Sequence, residues 1–92
     1  MDTYTQAISR IIKEQQTIIG PIALDQAKKV EGLQVSSADD VKVVGSGKDV
    51  LTKLVNQYAK LFGKASIEVC KEAFEPYQDK MPVSEVPDIL KS

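Results

Sequence analysis

Two stretches of this chain carry the same pattern of residue types. When residues 9–30 are laid over residues 52–73, a shift of 43 positions, chemical class agrees at most pairs. The identical pairs are Gly20 with Gly63 and Lys28 with Lys71. Two amphipathic helices of one period can also agree this well by coincidence, so duplication and coincidence both stay open. Either way, the chain is expected to fold as helices that share one phase around a central glycine.

The first stretch has one stripe of residues at helical spacing. They advance in steps of three and four, as along one face of a 3.6-residue helix. The stripe consists of Ile8, Ile11, Ile12, Gln15, Ile19, Ile22, Gln26 and Val30. Thr3 and Gln6 have the spacing of a capping box, so a helix is predicted to begin there. Gly20-Pro21 interrupts the stripe without changing its phase, which predicts a kinked helix or two helices that meet at Pro21.

The second stretch has an entirely apolar stripe, which makes it the better candidate for the core. The stripe consists of Leu51, Leu54, Val55, Tyr58, Phe62, Ala65, Val69 and Ala73. Ser46 and Asp49 give this helix a box-like start. The predicted core residues are Ile8, Ile11, Ile12, Ile19, Ile22, Leu51, Leu54, Val55, Tyr58, Phe62 and Val69. The predicted kinks lie at Gly20, Pro21 and Gly63.

The two units are separated by a predicted linker at residues 32–45. Within it, Ser37 to Asp40 has the form of a helix start. Val41 to Val44 would then finish a short helix or form a brief strand, and we favour the helix. The predicted helical domain covers residues 1–75, with repeat-like units at 5–31 and 46–74.

The last residues, 76–92, form a predicted tail with its own character. Three prolines, at positions 76, 82 and 87, exclude a continuous helix. Apolar residues such as Met81 and Leu90 recur between them. We expect the tail to pack as an extended segment over the helices, and a peptide ligand for another protein is the alternative.

Composition excludes several classes of protein. The chain has 92 residues, of which 42% are hydrophobic and 27% charged, as suits one small globular domain. The net charge is −1 and the lysines are scattered, so neither nucleic acid nor an anionic membrane is implied as a partner. The single cysteine allows no internal disulfide. No apolar run approaches the roughly 20 residues that span a bilayer, and the first residues lack the features of a secretory signal, so a cytoplasmic protein is predicted.

No residue pattern indicates catalysis, a cofactor or a metal. Histidine is absent, which removes the commonest general base and metal ligand. Val41 to Leu51 has the layout of a phosphate-binding loop, but Lys42 stands where a glycine is required and Asp49 where a hydroxyl is required. Cys70 takes the place of Ala27 in the internal alignment, which predicts a small buried thiol without a redox role. We therefore expect a protein that is not an enzyme.

Each helix also carries apolar residues away from its main stripe. Leu24 and Ile67 lie roughly 160° around their helices from the start of the stripe, at about 100° per residue. Ile18 and Leu61 flank them. The linker and tail could cover this second face in a monomer, but we favour a homodimer, because so short a chain supplies little covering surface. The prediction is an all-α bundle of two long kinked helices, completed by dimerisation, with Leu24, Ile67, Ile18 and Leu61 at the interface.

Residues 18–23, with the sequence IIGPIA, resemble the hallmark of a known short helical domain. That domain carries an apolar-Gly-Pro-Ile-Ala segment and is appended to bacterial, notably cyanobacterial, kinases and response regulators. The resemblance covers residues 7–30, about a quarter of the chain, and Gly63-Lys64 is not a second Gly-Pro. It implies a non-catalytic regulatory module in bacterial signalling, with a protein partner and no catalytic residue.

The alternative function is of another class. A membrane-surface or lipid-binding protein would lay the isoleucine stripe of Ile8 to Ile22 on a bilayer. The nearly neutral charge and the absence of tryptophan are unfavourable for that function. We therefore favour the protein-interaction module.

Overall fold

Four helices and one β-hairpin make up the fold. The computed structural model describes residues 2–91, of which 67% are helical. The helices are α1 (Thr3–Ile19), α2 (Ile22–Ala27), α3 (Gly47–Phe62) and α4 (Lys64–Gln78). The antiparallel strands are β1 (Leu33–Ser37) and β2 (Asp40–Val43), and two 3-10 turns follow at Val83–Glu85 and Asp88–Leu90. A mostly helical class is confirmed, but the prediction of two long kinked helices is wrong.

Side chains that accept backbone N–H groups set the starts of the long helices. The Asp2 carboxylate accepts from the Thr5 N–H at 2.8 Å, so the cap of α1 is Asp2 and not the predicted Thr3. This hydrogen bond holds the pKa of Asp2 below its usual value. Ser46 Oγ accepts from the Asp49 N–H at 3.3 Å and caps α3, as its box-like start predicts.

Gly20 and Gly63 end the two long helices in nearly the same backbone conformation. Their φ and ψ angles are 71° and −152° for Gly20, and 77° and −163° for Gly63. Only glycine adopts this region readily. Each glycine N–H donates to the carbonyl four residues back, Gln16 at 3.0 Å and Ala59 at 2.8 Å. The predicted kinks are therefore complete breaks between helices, and Pro21 stands immediately before α2.

α1 and α3 begin side by side at one end of the molecule. The Tyr4 ring of α1 lies so close to Gly47 of α3 that a side chain at Gly47 would collide with it. α1 and α3 are in contact. We call this the start end of the molecule.

α4 runs back along α1 in the opposite direction. Its N-terminal half lies beside the last turns of α1, where Gln15 reaches Ser66, and Tyr77 near its C-terminus lies beside the first half of α1. α3 also packs on α4 and begins beside the start of α1, so α1 and α3 run in the same general direction. Gly20 and Gly63 consequently lie at the same end of the molecule, which we call the elbow end.

The core lies between α1, α3 and α4. The predicted core residues that are buried come from the middle of each stripe: Ile8, Ile11, Ile12, Leu51, Leu54, Val55 and Tyr58. Ile19 and Val69 are half-buried, and the prediction that Ile22 and Phe62 are core residues is wrong, because both are exposed. Both exposed residues lie within two residues of a glycine at which a long helix ends.

A β-hairpin occupies the linker, where we favoured a short helix. The paired residues are Leu33 with Val43, Gln34 with Lys42, Val35 with Val41 and Ser37 with Asp40. Apolar and polar residues alternate along both strands, and most of the apolar ones are β-branched valines. This pattern favours strands and outweighs the helix-start signal at Ser37. The hairpin turn is held against α1, because the Ser9 hydroxyl donates to the Ala38 carbonyl and Lys13 pairs with Asp39.

The tail folds back over α3 and α4. α4 passes through Pro76 and ends at Gln78, beyond the end predicted for the second unit. Val86 and Leu90 are buried in the core, and the Tyr4 hydroxyl donates to the Glu85 carbonyl at 2.6 Å. The tail therefore packs on the same core as the helices, as two short turns instead of the extended segment that we predicted.

Candidate functional site

Equivalent hydrogen bonds hold the two helical units together near the elbow end. Gln15 Nε2 on α1 donates to the Ser66 carbonyl on α4 at 3.2 Å. The Tyr58 hydroxyl on α3 donates to the Ala23 carbonyl on α2 at 2.7 Å. Gln15 and Tyr58 correspond under the 43-residue shift, and so do Ala23 and Ser66. Each long helix thus bonds to the first turn of the other unit's second helix, so the two contacts are reciprocal.

Burial follows the same correspondence. Ala27 and Cys70 are both fully buried, whereas Ile18 and Leu61 are both exposed. The relation is approximate, because α2 has 6 residues and α4 has 15. The internal alignment of the sequence therefore has a structural counterpart in the two helix-glycine-helix units.

Cys70 lies inside this contact between the units. Gln15 Nε2 is 3.5 Å from its Sγ atom, and the side chain is fully buried. Burial raises the pKa of the thiol to about 11. Because the thiolate is the reactive form, little of it is present at neutral pH.

We expect the thiol of Cys70 to be unreactive in the folded protein. Modification by a disulfide reagent at pH 7.5 should be slower than in denaturant by on the order of 100-fold or more, because reaction requires opening of the core. A matched control is Val83→Cys in a Cys70→Ala background, which places a thiol on an exposed position of the same chain. Labelling of native Cys70 at the rate of this control would contradict its burial.

Polar groups in the described part of the chain do not converge on a pocket. Residues 2–91 contain no group of three or more His, Cys, Asp or Glu side chains placed to hold a metal ion. Surface depressions are open and lined by charged residues, such as Glu68, Lys71 and Glu72 along α4. Among the same residues, every buried side-chain nitrogen or oxygen has a hydrogen-bond partner.

The elbow end presents large apolar side chains to solvent. The exposed fractions are 61% for Ile18, 43% for Ile22, 48% for Leu61 and 37% for Phe62. We call these four residues the elbow cluster. They come from both units and lie within two residues of the glycine breaks, and both breaks are at this end of the molecule.

Exposed apolar side chains occur at the opposite end as well, but they are fewer. They are Val44, which precedes α3, and Val83 in the tail. Val83 lies near the first turn of α3, because the carbonyl of the adjacent Ser84 accepts a hydrogen bond from Lys48 Nζ at 2.9 Å. The 16 residues of α3 separate the two ends by about 24 Å at 1.5 Å per residue. Val44 and Val83 are therefore suitable control positions for experiments on the elbow cluster.

The residues predicted for an interface lie in different environments. Ile18 and Leu61 are exposed in the elbow cluster, whereas Leu24 and Ile67 are half-buried and pack against the core. Sequence reasoning missed Ile22 and Phe62 as surface residues. The available signal was their position within two residues of Gly20 or Gly63, where the direction of the chain changes.

Comparisons with known proteins find no match to this chain among protein-family models, curated proteins or solved structures. The resemblance of residues 18–23 to a signalling domain stays a prediction. In the structure these residues form the first elbow, with Gly20 at the break and two members of the elbow cluster beside it.

No helix within residues 2–91 is both long enough and apolar enough to cross a bilayer.

Proposed function

We propose that this chain is a non-catalytic protein-interaction module that serves a regulatory role in bacterial signalling, with the elbow cluster as its binding surface. The observation that carries the proposal is the exposure of four large apolar side chains at one end of a very small protein. Contiguous exposed apolar surface on a folded protein is typical of an interaction site. Binding would remove this surface from water, which is favourable by roughly 25 cal/mol per Å² of apolar area.

A protein partner is favoured over a membrane surface. The membrane alternative required the stripe of the first helix, but Ile8, Ile11 and Ile12 are fully buried. An interfacial helix also needs a continuous apolar face along its length. The elbow cluster instead comes from the ends of separate helices, which do not provide such a face.

The signalling context rests on the first elbow. Its sequence, IIGPIA, resembles a segment of helical domains appended to bacterial kinases and response regulators. A cytoplasmic location accompanies this proposal, because such proteins act there.

Site-specific photocrosslinking in cells would test the binding surface. A benzophenone amino acid in place of Leu61 should give covalent protein adducts, and the same group in place of Val83 should give none. Adding Phe62→Glu to the Leu61 probe should abolish the adducts, because a charge in an apolar interface is strongly unfavourable. The absence of adducts from the Leu61 probe, or equal yields from both positions, would contradict the proposal.

A further inference from the structure

We propose that residues 82–91 form a strap that opens while the helices stay folded, and that the face of α3 and α4 beneath it then binds a peptide segment with the strap's own apolar pattern. The strap contains both 3-10 turns of the tail. Its first turn lies at the start end of the molecule, beside Tyr4 and Lys48. This binding face is therefore separate from the elbow cluster and adds a second surface to the proposed function.

The strap satisfies its own backbone groups and charges. The N–H groups of Glu85, Val86, Leu90 and Lys91 donate to carbonyls within the strap at 2.9–3.1 Å. The Lys91 ammonium pairs with Asp88, also within the strap, at 3.1 Å. Among residues 2–91, no backbone hydrogen bond and no ion pair joins the strap to the helices or the hairpin. Opening of the strap therefore breaks none of the hydrogen bonds that hold the helices.

Two side-chain donors fasten the first turn of the strap. The Tyr4 hydroxyl donates to the Glu85 carbonyl at 2.6 Å, and Lys48 Nζ donates to the Ser84 carbonyl at 2.9 Å. Tyr4 belongs to α1 and Lys48 to α3, so the bonds join the strap to the first turns of two different helices. Both bonds are exposed, and water competes for the same groups. They position the closed strap and are easily broken.

Three apolar side chains of the strap are buried against the helices: Val86, Pro87 and Leu90. The second 3-10 turn contacts both α3 and α4. Val86 and Leu90 belong to the same buried cluster as Leu51 of α3 and Phe74 of α4. A separate peptide with these residue types at the same spacing would make the same contacts. The face beneath the strap therefore fits a segment of the pattern Val-Pro-x-x-Leu.

Proline prepares such a segment for binding. Pro87 has a φ of −58° and a ψ of 136° immediately before the second turn. The proline ring fixes φ near this value in a free peptide as well, so less conformational entropy is lost on binding. In the closed protein the attached strap has a high effective concentration and competes with any separate segment. The strap thus inhibits the face that it covers.

Hydrogen exchange of the full chain tests whether the strap opens by itself. The amides of Val86 and Leu90 should exchange through an opening at least about 100-fold more frequent than the opening that exposes Leu54 and Tyr58 of α3. Their exchange should also depend less on urea, because opening of the strap exposes less surface than unfolding of the helices. Exchange of all four amides at one rate of opening and with one urea dependence would overturn the inference.

Removal of the two donors should loosen the strap and leave the helices unchanged. Tyr4→Phe with Lys48→Met should accelerate exchange of the strap amides by on the order of tenfold, because both fastening hydrogen bonds are lost. Lys53→Met is the matched control, since this lysine of α3 lies 4.0 Å from Glu31 instead of bonding to the strap. Equal acceleration of the strap and α3 amides, or none in the strap, would contradict the proposed fastening.

A fluorescent peptide with the sequence of residues 81–91 tests the binding face. In anisotropy titrations it should bind the full-chain variant Val86→Asp/Leu90→Asp at least about tenfold more tightly than the parent, because the variant's own strap is displaced. The same two changes in the peptide should abolish binding. Val83→Asp in the protein is the matched control, because this strap position is exposed, and it should leave peptide binding at the parent value.

Circular dichroism of the double variant shows whether the helices stay folded when the strap is displaced. Helix content close to that of the parent, together with tighter peptide binding, would support the strap. Loss of the helices, or equal peptide binding by parent and variant, would overturn it. The Leu61 photocrosslinking probe reports on the elbow cluster alone, so failure of one binding surface is distinguishable from failure of the other.

Discussion

Replacing Phe74 with alanine is expected to lower the free energy of unfolding by about 3–5 kcal/mol. Phe74 is fully buried on α4, where its ring packs in the core. Truncation removes the buried ring and leaves a cavity that the surrounding helices close only in part. Because natural domains are stable by only about 5–15 kcal/mol, this change should bring the protein close to unfolding.

Phe62→Ala is the matched control, since these are the two phenylalanines of the chain. Its side chain lies at the elbow end and is partly exposed, so the same change should cost less than about 1 kcal/mol. Urea unfolding measures the free energy of unfolding of both variants. A larger loss for Phe62 than for Phe74 would restore the predicted core position of Phe62 and contradict the elbow geometry.

Replacing Gly20 or Gly63 with L-alanine is expected to lower the free energy of unfolding by about 1–3 kcal/mol at each position. Added Cβ atoms would meet no other atom within 4 Å, so crowding is not the cause. The cause is the backbone, because positive φ combined with ψ near −160° is strained for any L-residue with a side chain. The two substitutions together should lower the free energy of unfolding by roughly the sum of their separate effects.

D-alanine, introduced by chemical synthesis, is the decisive control at the elbows. It carries the same methyl group, but the mirror image of the elbow conformation is an ordinary extended region, so the D-residue fits without strain. We expect the D-alanine proteins to be at least as stable as the parent, because they also lose backbone freedom in the unfolded state. Equal destabilisation by L- and D-alanine in thermal melts would show that the methyl group itself, and not the backbone angle, is responsible.

Helical periodicity predicted the buried residues in the middle of the long helices correctly and failed beside the glycine breaks. Residues such as Ile11 and Leu54 are buried where the stripes place them. Periodicity carries no information about which turns of a helix have a neighbour, so Ile22 and Phe62 were assigned to the core although both are exposed beside the glycine breaks. The resulting exposed cluster depends on that three-dimensional arrangement and could not be read from spacing.

The polar members of the stripes were only partly interpretable from sequence. Gln15 and Gln26 interrupt the apolar stripe of the first stretch, and the role of Gln15 became evident only with the Ser66 carbonyl 51 residues away. The hairpin was missed for a different reason. Ser37 to Asp40 satisfies the local preferences of both a helix start and a turn, and the pairing of Val35 with Val41 decided between them.

The reciprocal bonds between the units determine when this protein can fold during its synthesis. They join residues 51 and 35 positions apart, from Gln15 to Ser66 and from Tyr58 to Ala23. While the first unit emerges alone, its apolar face has nothing to cover it, and Gln15 lacks its partner. The helix that covers this face, α4, lies in the last third of the chain. We therefore expect these residues to fold in one late, cooperative step that requires α4, and a nascent chain halted before Phe74 to expose the apolar faces of α1 and α3 instead of forming a folded half.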